Sequence, residues 1–214
     1  MATPRDALLD LRRAASAGLL DLDGSSPASS EAVQVRETLP APHFGTVAWS
    51  VPPSYRALLA EHNRLCCQRG DDDRMCEFVL VDEGEFVGLN AELVHMPEGV
   101  SREPGRYLST NHLVGFAEAG YEAVWCFDVS QPGEDGEYPV YYHHQDEPRA
   151  RYLADGAWEE QADSVPDFPS FAAWFEAMAA AFTSEQPPAW LDEMGTPALV
   201  WLARDGIFKA AGRN

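Results

Sequence analysis

The side chains able to do chemistry are sparse and poorly grouped. His143 and His144 are neighbours in Tyr138–His144, a run that reads as a strand. Successive strand side chains face opposite ways, so the two imidazoles do not chelate one ion together. One of them can join Cys126 or an aspartate in an acid–base or metal site. The plainer reading is one surface histidine and one packed, hydrogen-bonded histidine. Asp128-x-Ser130 followed by Gly133 begins like a calcium loop, but Pro139 stands where a bidentate carboxylate is required. Asp71-Asp72-Asp73 lacks alternating ligand spacing. Cys66 and Cys67 are expected near a helix C-terminus, where the dipole disfavours thiolate. With Cys76 and Cys126 they make neither a zinc spacing nor a disulfide framework. The chain has no Gly-rich phosphate cradle, no His-Glu-x-x-His and no Gly-x-Ser-x-Gly. With 35 Asp+Glu, some carboxylates lie close together by chance, so pairs of acids carry no glycosidase signal. Neither a cofactor nor a metal is implied.

Such side chains need positioning elements. Residues 5–20 predict a helix, with Leu8, Leu11, Ala15 and Leu19 at helical spacing. Asp21–Ala32 is rich in Gly, Ser and Pro and reads as a linker or mobile loop, leaving the first helix as an appendage. A second helix is expected from Pro53 to about Cys67, with Pro53 in its first turn. Strand-like runs follow at Glu77–Val81, Glu85–Leu89, Leu113–Phe116, Ala123–Val129 and Tyr138–His144, with short ones at Arg151–Ala154 and Trp158–Glu160. Gln131–Glu137 reads as a turn. The clearest helix is Pro169–Phe182, where Phe171, Trp174, Phe175, Met178 and Phe182 form a core-facing stripe. Beyond it, Leu199–Leu202 can add a strand or cap the core. Helices, then antiparallel strands, then a helix make an α+β fold. The expected boundaries are 1–38 for the first helix and linker, 39–186 for the domain, and 187–214 for an extension packed on it.

The strands carry a further message. In Val124-Trp125-Cys126-Phe127-Asp128 and in Pro139–His144, both alternating sets contain apolar residues. A sheet with one solvated face alternates apolar and polar. The second face is therefore covered from within, or it forms a concave interaction surface of Tyr and Trp with acidic neighbours.

The 214 residues carry a formal charge of −20. Tyr107–Ala203 holds 17 acidic residues and two basic ones, Arg149 and Arg151. This balance argues against nucleic acid and against anionic lipid, both of which are bound through Lys and Arg. It leaves two readings, a solvated surface or a field that steers a cationic partner. No signal peptide and no apolar stretch of spanning length is evident, so a soluble, cytoplasmic chain is expected.

The ordered segments resemble the SUKH superfamily, which includes the Smi/Knr-type proteins. They are Val51-Pro52-Pro53-Ser54-Tyr55 running to Asn63, then Leu113-Val114-Gly115-Phe116, Ala123–Asp128 and Tyr138-Pro139-Val140-Tyr141, closed by Ser170-Phe171-Ala172-Ala173-Trp174-Phe175. Arg64 stands where the family places Gly, and only Gly120-Tyr121 remains of its glycine pair. The resemblance spans about residues 50–182. It implies a mainly antiparallel twisted sheet packed against helices, with N- and C-terminal extensions, and a binding role without catalysis. Bacterial members often neutralise toxins, many of them nucleases, and nucleases tend to be basic. The resulting expectation is an immunity protein that grips a basic toxin domain through Glu118, Tyr121, Glu122, Trp125, Asp128, Tyr141 and His143. Two other readings stay open. One is a regulatory module binding an endogenous protein. The other is a small-molecule binder or enzyme in which His143, Cys126 and Asp128 converge in a deep pocket. The sequence does not specify an oligomeric state.

Overall fold

The computed structural model describes residues 3–39, 49–70, 76–95, 99–100, 105–119, 123–146, 148–186 and 188. The elements in chain order are α1 (Pro4–Ser16), β1 (Asp21–Gly24), α2 (Ser30–Glu37), α3 (Pro53–Leu59), β2 (Leu65–Arg69), β3 (Cys76–Leu80) and α4 (Glu83–Leu89). A π-helical turn, Asn90–Val94, continues α4. Then come β4 (Gly99–Val100), β5 (Tyr107–Ser109), β6 (Leu113–Glu118), β7 (Ala123–Asp128), β8 (Val140–His144), β9 (Arg151–Tyr152), a 3-10 turn at Gln161–Ser164, and α5 (Phe171–Thr183). Six strands form one sheet in the order β1-β2-β3-β6-β7-β8, and β4-β5-β9 form a smaller one. All of these strand pairings are antiparallel. The fold is α+β.

The register divides the large sheet into two faces. Cross-strand partners share a face, and residues two apart along a strand share it too. One face carries Leu22, Cys67, Phe78, Trp125, Phe127 and Tyr142. Helices α1, α3 and α5 cover it. Tyr55 of α3 meets Phe116, Phe127 and Phe171, and Phe78 packs edge-on against Trp174, Phe175 and Phe182. The apolar stripe of α5 thus enters the core as its 3.6-residue period predicts. Ser170 caps the helix by accepting from the Ala173 N–H, and Arg69 closes its far end by donating to the Phe182 and Ser184 carbonyls.

Several sequence expectations are corrected. The first helix is no appendage: Leu8 and Leu11 are fully buried in the same core cluster as α5, and a Thr3–Asp6 capping box starts the helix. Asp21–Ala32 is not a loop throughout; it holds β1 and the first turn of α2. Pairing with β2 overrides the turn-prone composition of this segment. His62 fastens it, since its Nδ1 faces the Ser25 carbonyl at 2.6 Å and its Nε2 lies 2.9 Å from Arg12. Helix α3 stops at Leu59, and Cys66 and Cys67 lie on β2, so the helix-end argument about their thiols falls. Burial raises both thiols all the same. Glu85–Leu89 is helical, not extended, because Asp82 and Glu85 form a capping box at its start. Trp158–Glu160 contributes only a bridge from Trp158 to Arg151. Gln131–Glu137 is a turn as expected, with Gly136 at φ 78°. Asp71–Asp73 and Leu199–Leu202 lie outside the described residues.

Candidate functional site

The second face of the large sheet carries Asp21 and Asp23 of β1, Cys66 and Gln68 of β2, Glu77 and Val79 of β3, Glu118 and Gly115 of β6, Val124, Cys126 and Asp128 of β7, and Tyr141 and His143 of β8. Its β6–β8 half is closed. The π-helical turn lies on it, and the Asn90 amide clamps Gly115: the Gly115 N–H donates to Oδ1 at 2.7 Å, and Nδ2 donates to the Gly115 carbonyl at 3.0 Å. A Cβ on Gly115 would lie 2.7 Å from Val124 Cγ1 and 2.8 Å from Val94 Cγ2, so glycine is what admits the turn.

Arginines complete that cover. Arg151 of β9 donates to Asp128 Oδ2 at 2.5 Å and to Ser130 Oγ at 2.6 Å, and its guanidinium stacks on Trp158 at 3.9 Å. Trp158 in turn packs on Tyr141 and His112. Arg149 lies over the Tyr141 ring and pairs with Asp167 at 3.1 Å. Burial pushes the Asp128 carboxyl up, and Arg151 and Ser130 oppose that push. His143 Nε2 lies 3.1 Å from the Leu93 carbonyl, and burial lowers its pKa to about 4. The ring is therefore neutral at pH 7, with Nε2–H as the donor.

Of the expected contact residues, Trp125, Asp128, Tyr141 and His143 are each 1% exposed or less. They were expected as partner anchors; as placed here their side chains are interior. Trp125 even points to the opposite face, against Trp174 and Tyr142. Tyr121 and Glu122 lie outside the described residues. Of the described ones, only Glu118 reaches solvent. Cys126, Asp128 and His143 do share one face, but each is engaged separately. The Cys126 thiol faces the Val124 carbonyl, and burial holds it well above the usual range. A cavity of about 400 Å³ between α2 and α3, lined by Ser29, Gln34, Glu37 and Arg56 among others, touches none of the three. Among the described residues no cluster of His, Cys, Asp or Glu is arranged to hold a metal, and no helix is long and apolar enough to cross a membrane.

The β1–β3 half is open. Asp21, Asp23 and Glu118 are exposed, and Cys66, Gln68 and Glu77 are half-buried around the packed Val79. Glu77 accepts from Gln68 at 2.8 Å. Arg64 pairs with Glu85 at 3.0 Å beside this half-face. Burial raises the Glu118 carboxyl, and the charges of Glu85 and Glu77 raise it further. The charge of Arg64 opposes that rise. Sequence reasoning missed this cluster because it looked to the acidic stretch after Tyr107. Four of its five carboxylates come from the first half of the chain, and three aspartates of the later stretch, Asp128, Asp163 and Asp167, are buried beside arginines. Also missed was Arg36, a fully buried guanidinium donating to the Ala32, Asn63 and Val81 carbonyls.

The model of the SMI1/KNR4 family (SUKH-1) matches residues 46–177, more than half of the chain. The chain belongs to that family. No curated protein matches it significantly. SUKH-1 membership agrees with the ordered motifs read from the sequence and supports a protein-binding or immunity-type module in general. Helix α1, β1 and α2 precede the matched SUKH-1 segment, yet they share its core.

Proposed function

We propose that this chain is a non-catalytic binding module of the immunity type, which neutralises a basic toxin domain by covering it. The observation that carries this reading is the half-open sheet face, whose exposed acids sit on a rigid, aromatic-packed support. A nuclease that binds phosphate backbones presents the complementary charge. An acidic field speeds its capture, and contact then blocks its substrate surface. Burial of the chemically capable groups, His143, Cys126 and Asp128, favours binding over catalysis.

The test is co-expression with the product of an adjacent toxin-like gene. Protection of the host, a purified complex, and an association rate that falls steeply with added salt are expected. An unprotected host together with a salt-independent rate refutes the reading.

A further inference from the structure

The large sheet ends at β8, and among the described residues no further strand lies beyond it. Strand β8 is Val140-Tyr141-Tyr142-His143-His144, without Asp, Glu, Lys or Arg and rich in strand-forming side chains. The Asp128 N–H donates to the Pro139 carbonyl at 3.0 Å, which sets the hydrogen-bonding phase against β7. Tyr141 and His143 therefore pair inward, and Val140, Tyr142 and His144 turn their backbone groups outward. An open edge of this composition is a template for another strand.

That edge is sealed in two different ways. Val140 is bound by the backbone of the segment before α5. Its N–H donates to the Phe168 carbonyl at 2.9 Å, and its carbonyl accepts from the Asp167 and Phe168 N–H groups at 3.0 Å and 3.1 Å. Tyr142 is bound by side chains alone. Its N–H donates to Asp167 Oδ2 at 2.8 Å, and its carbonyl accepts from Arg149 Nε at 2.8 Å. Asp167 and Arg149 also pair with each other at 3.1 Å. The carboxylate thus holds the place of a neighbouring strand's carbonyl, and the guanidinium the place of its N–H. Both side chains are buried, and Phe168 anchors the segment on Trp125. Burial pushes the Asp167 carboxyl up to about 6 against the opposing pull of Arg149 and the Tyr142 N–H, as expected of a seal that keeps water out.

We infer that Asp167 and Arg149 act as a substitute strand, which keeps β8 from pairing with β8 of a second copy of this chain. A second copy is the occupant that this edge fits. Antiparallel pairing about Tyr142 sets that residue opposite its own equivalent, where the two exchange both N–H···O bonds across a two-fold axis. No charge on β8 opposes the pairing. The formal charge of −20 on each chain slows approach at low salt, but salt screens that repulsion, whereas the seal acts at contact.

The test compares Asp167→Asn with Asp167→Ala in the full-length chain, in about 0.5 M salt to screen the net charge. Both remove the carboxylate that faces Arg149, but only asparagine keeps an oxygen for the Tyr142 N–H. Circular dichroism and melting curves establish folding. If Asp167→Ala does not fold, Asp167→Ala combined with Arg149→Met takes its place, since it also removes the stranded guanidinium. Sedimentation equilibrium should show the alanine variant dimerising at least about tenfold more tightly than the wild type, the gain expected from two exchanged hydrogen bonds, and the asparagine variant behaving as wild type. Amide exchange in the wild type should protect the Tyr142 N–H as well as the inward N–H groups of Tyr141 and His143. A folded alanine variant that stays as unassociated as the wild type overturns the inference. Equal association of both variants does the same, because it traces the effect to lost charge instead of an opened edge. Fast exchange at Tyr142 in the wild type overturns the seal itself.

Discussion

His143 offers a direct measure of how tightly the closed half of the sheet is sealed. Its ring is 1% exposed, and its pKa is lowered from 6.5 to about 4, first by burial and against the pull of the Leu93 carbonyl. In the unfolded chain the imidazole takes up a proton near pH 6.5; in the folded chain it resists until about pH 4. A depressed folded pKa stabilises the protein above the unfolded value, and that stability is lost as pH falls toward the folded one. Between about pH 7.5 and about pH 5, linkage gives a loss of about 2 kcal/mol from this residue alone. The variant His143→Gln keeps an N–H donor for Leu93 and removes the titration. Urea unfolding of both proteins at the two pH values isolates the term as a difference of differences. His112, whose pKa burial also lowers, and Asp167, which burial raises to about 6, act in both proteins and cancel. The wild type should lose about 2 kcal/mol more than the variant. Parallel losses would mean that the ring reaches water, and the sealed half-face would have to be abandoned.

Three further outcomes are expected. Leu11→Ala should cost about 2–5 kcal/mol and shift a single cooperative transition, because Leu11 is fully buried in the shared core; an unchanged denaturation midpoint would mark α1 as an appendage after all. Asp128→Ala removes the buried carboxylate that Arg151 donates to and should cost roughly 3–5 kcal/mol, whereas Asp128→Leu combined with Arg151→Met should recover much of the loss; chemical denaturation of the single and paired variants checks this. Gly115→Ala forces its Cβ against Val124 and Val94 and should destabilise by about 1–3 kcal/mol, with Val94→Ala partly rescuing it in melting experiments.

Elements with a strong period of their own were legible. The Phe171–Phe182 stripe and the aromatic runs of β7 and β8 announced themselves, because their spacing is set by what they bury. Helix α4 was misread as extended, although its signal was present: Asp82-x-x-Glu85 is a capping box, and Phe86 and Leu89 are its buried residues. Strand β1 has no such signal. Its conformation comes from β2, with Asp23 set opposite Cys66, and a segment flanked by Gly and Ser does not encode a partner 43 residues away. The site was harder still. Both alternating sets of β7 looked apolar because both faces are covered there, but the covering pieces are a π-helical turn and a two-residue strand, neither of which has a readable period. The aromatic residues that looked like anchors are therefore core. The exposed acids were hidden among 35 carboxylates, and only the register brings Asp21, Asp23, Glu77 and Glu118 onto one surface.

That register also locates the surface relative to the family. The SUKH-1 match begins at residue 46, so Glu77 and Glu118 lie within the matched segment, while Asp21 and Asp23 come from the segment before it. The segment is structurally committed. It contributes Leu8 and Leu11 to the core, and Arg36 joins α2 to the carbonyls of Asn63 and Val81. A strand held this firmly can vary in its outward side chains at little cost to the fold, since exposed positions away from such anchors usually move stability by less than about 0.5 kcal/mol. The two sides of β1 differ accordingly: Leu22 packs inward, and Asp21 and Asp23 face the solvent on either side of it. The outward positions of β1 can therefore change their side chains without disturbing the core that α1, β1 and α2 share with the matched segment.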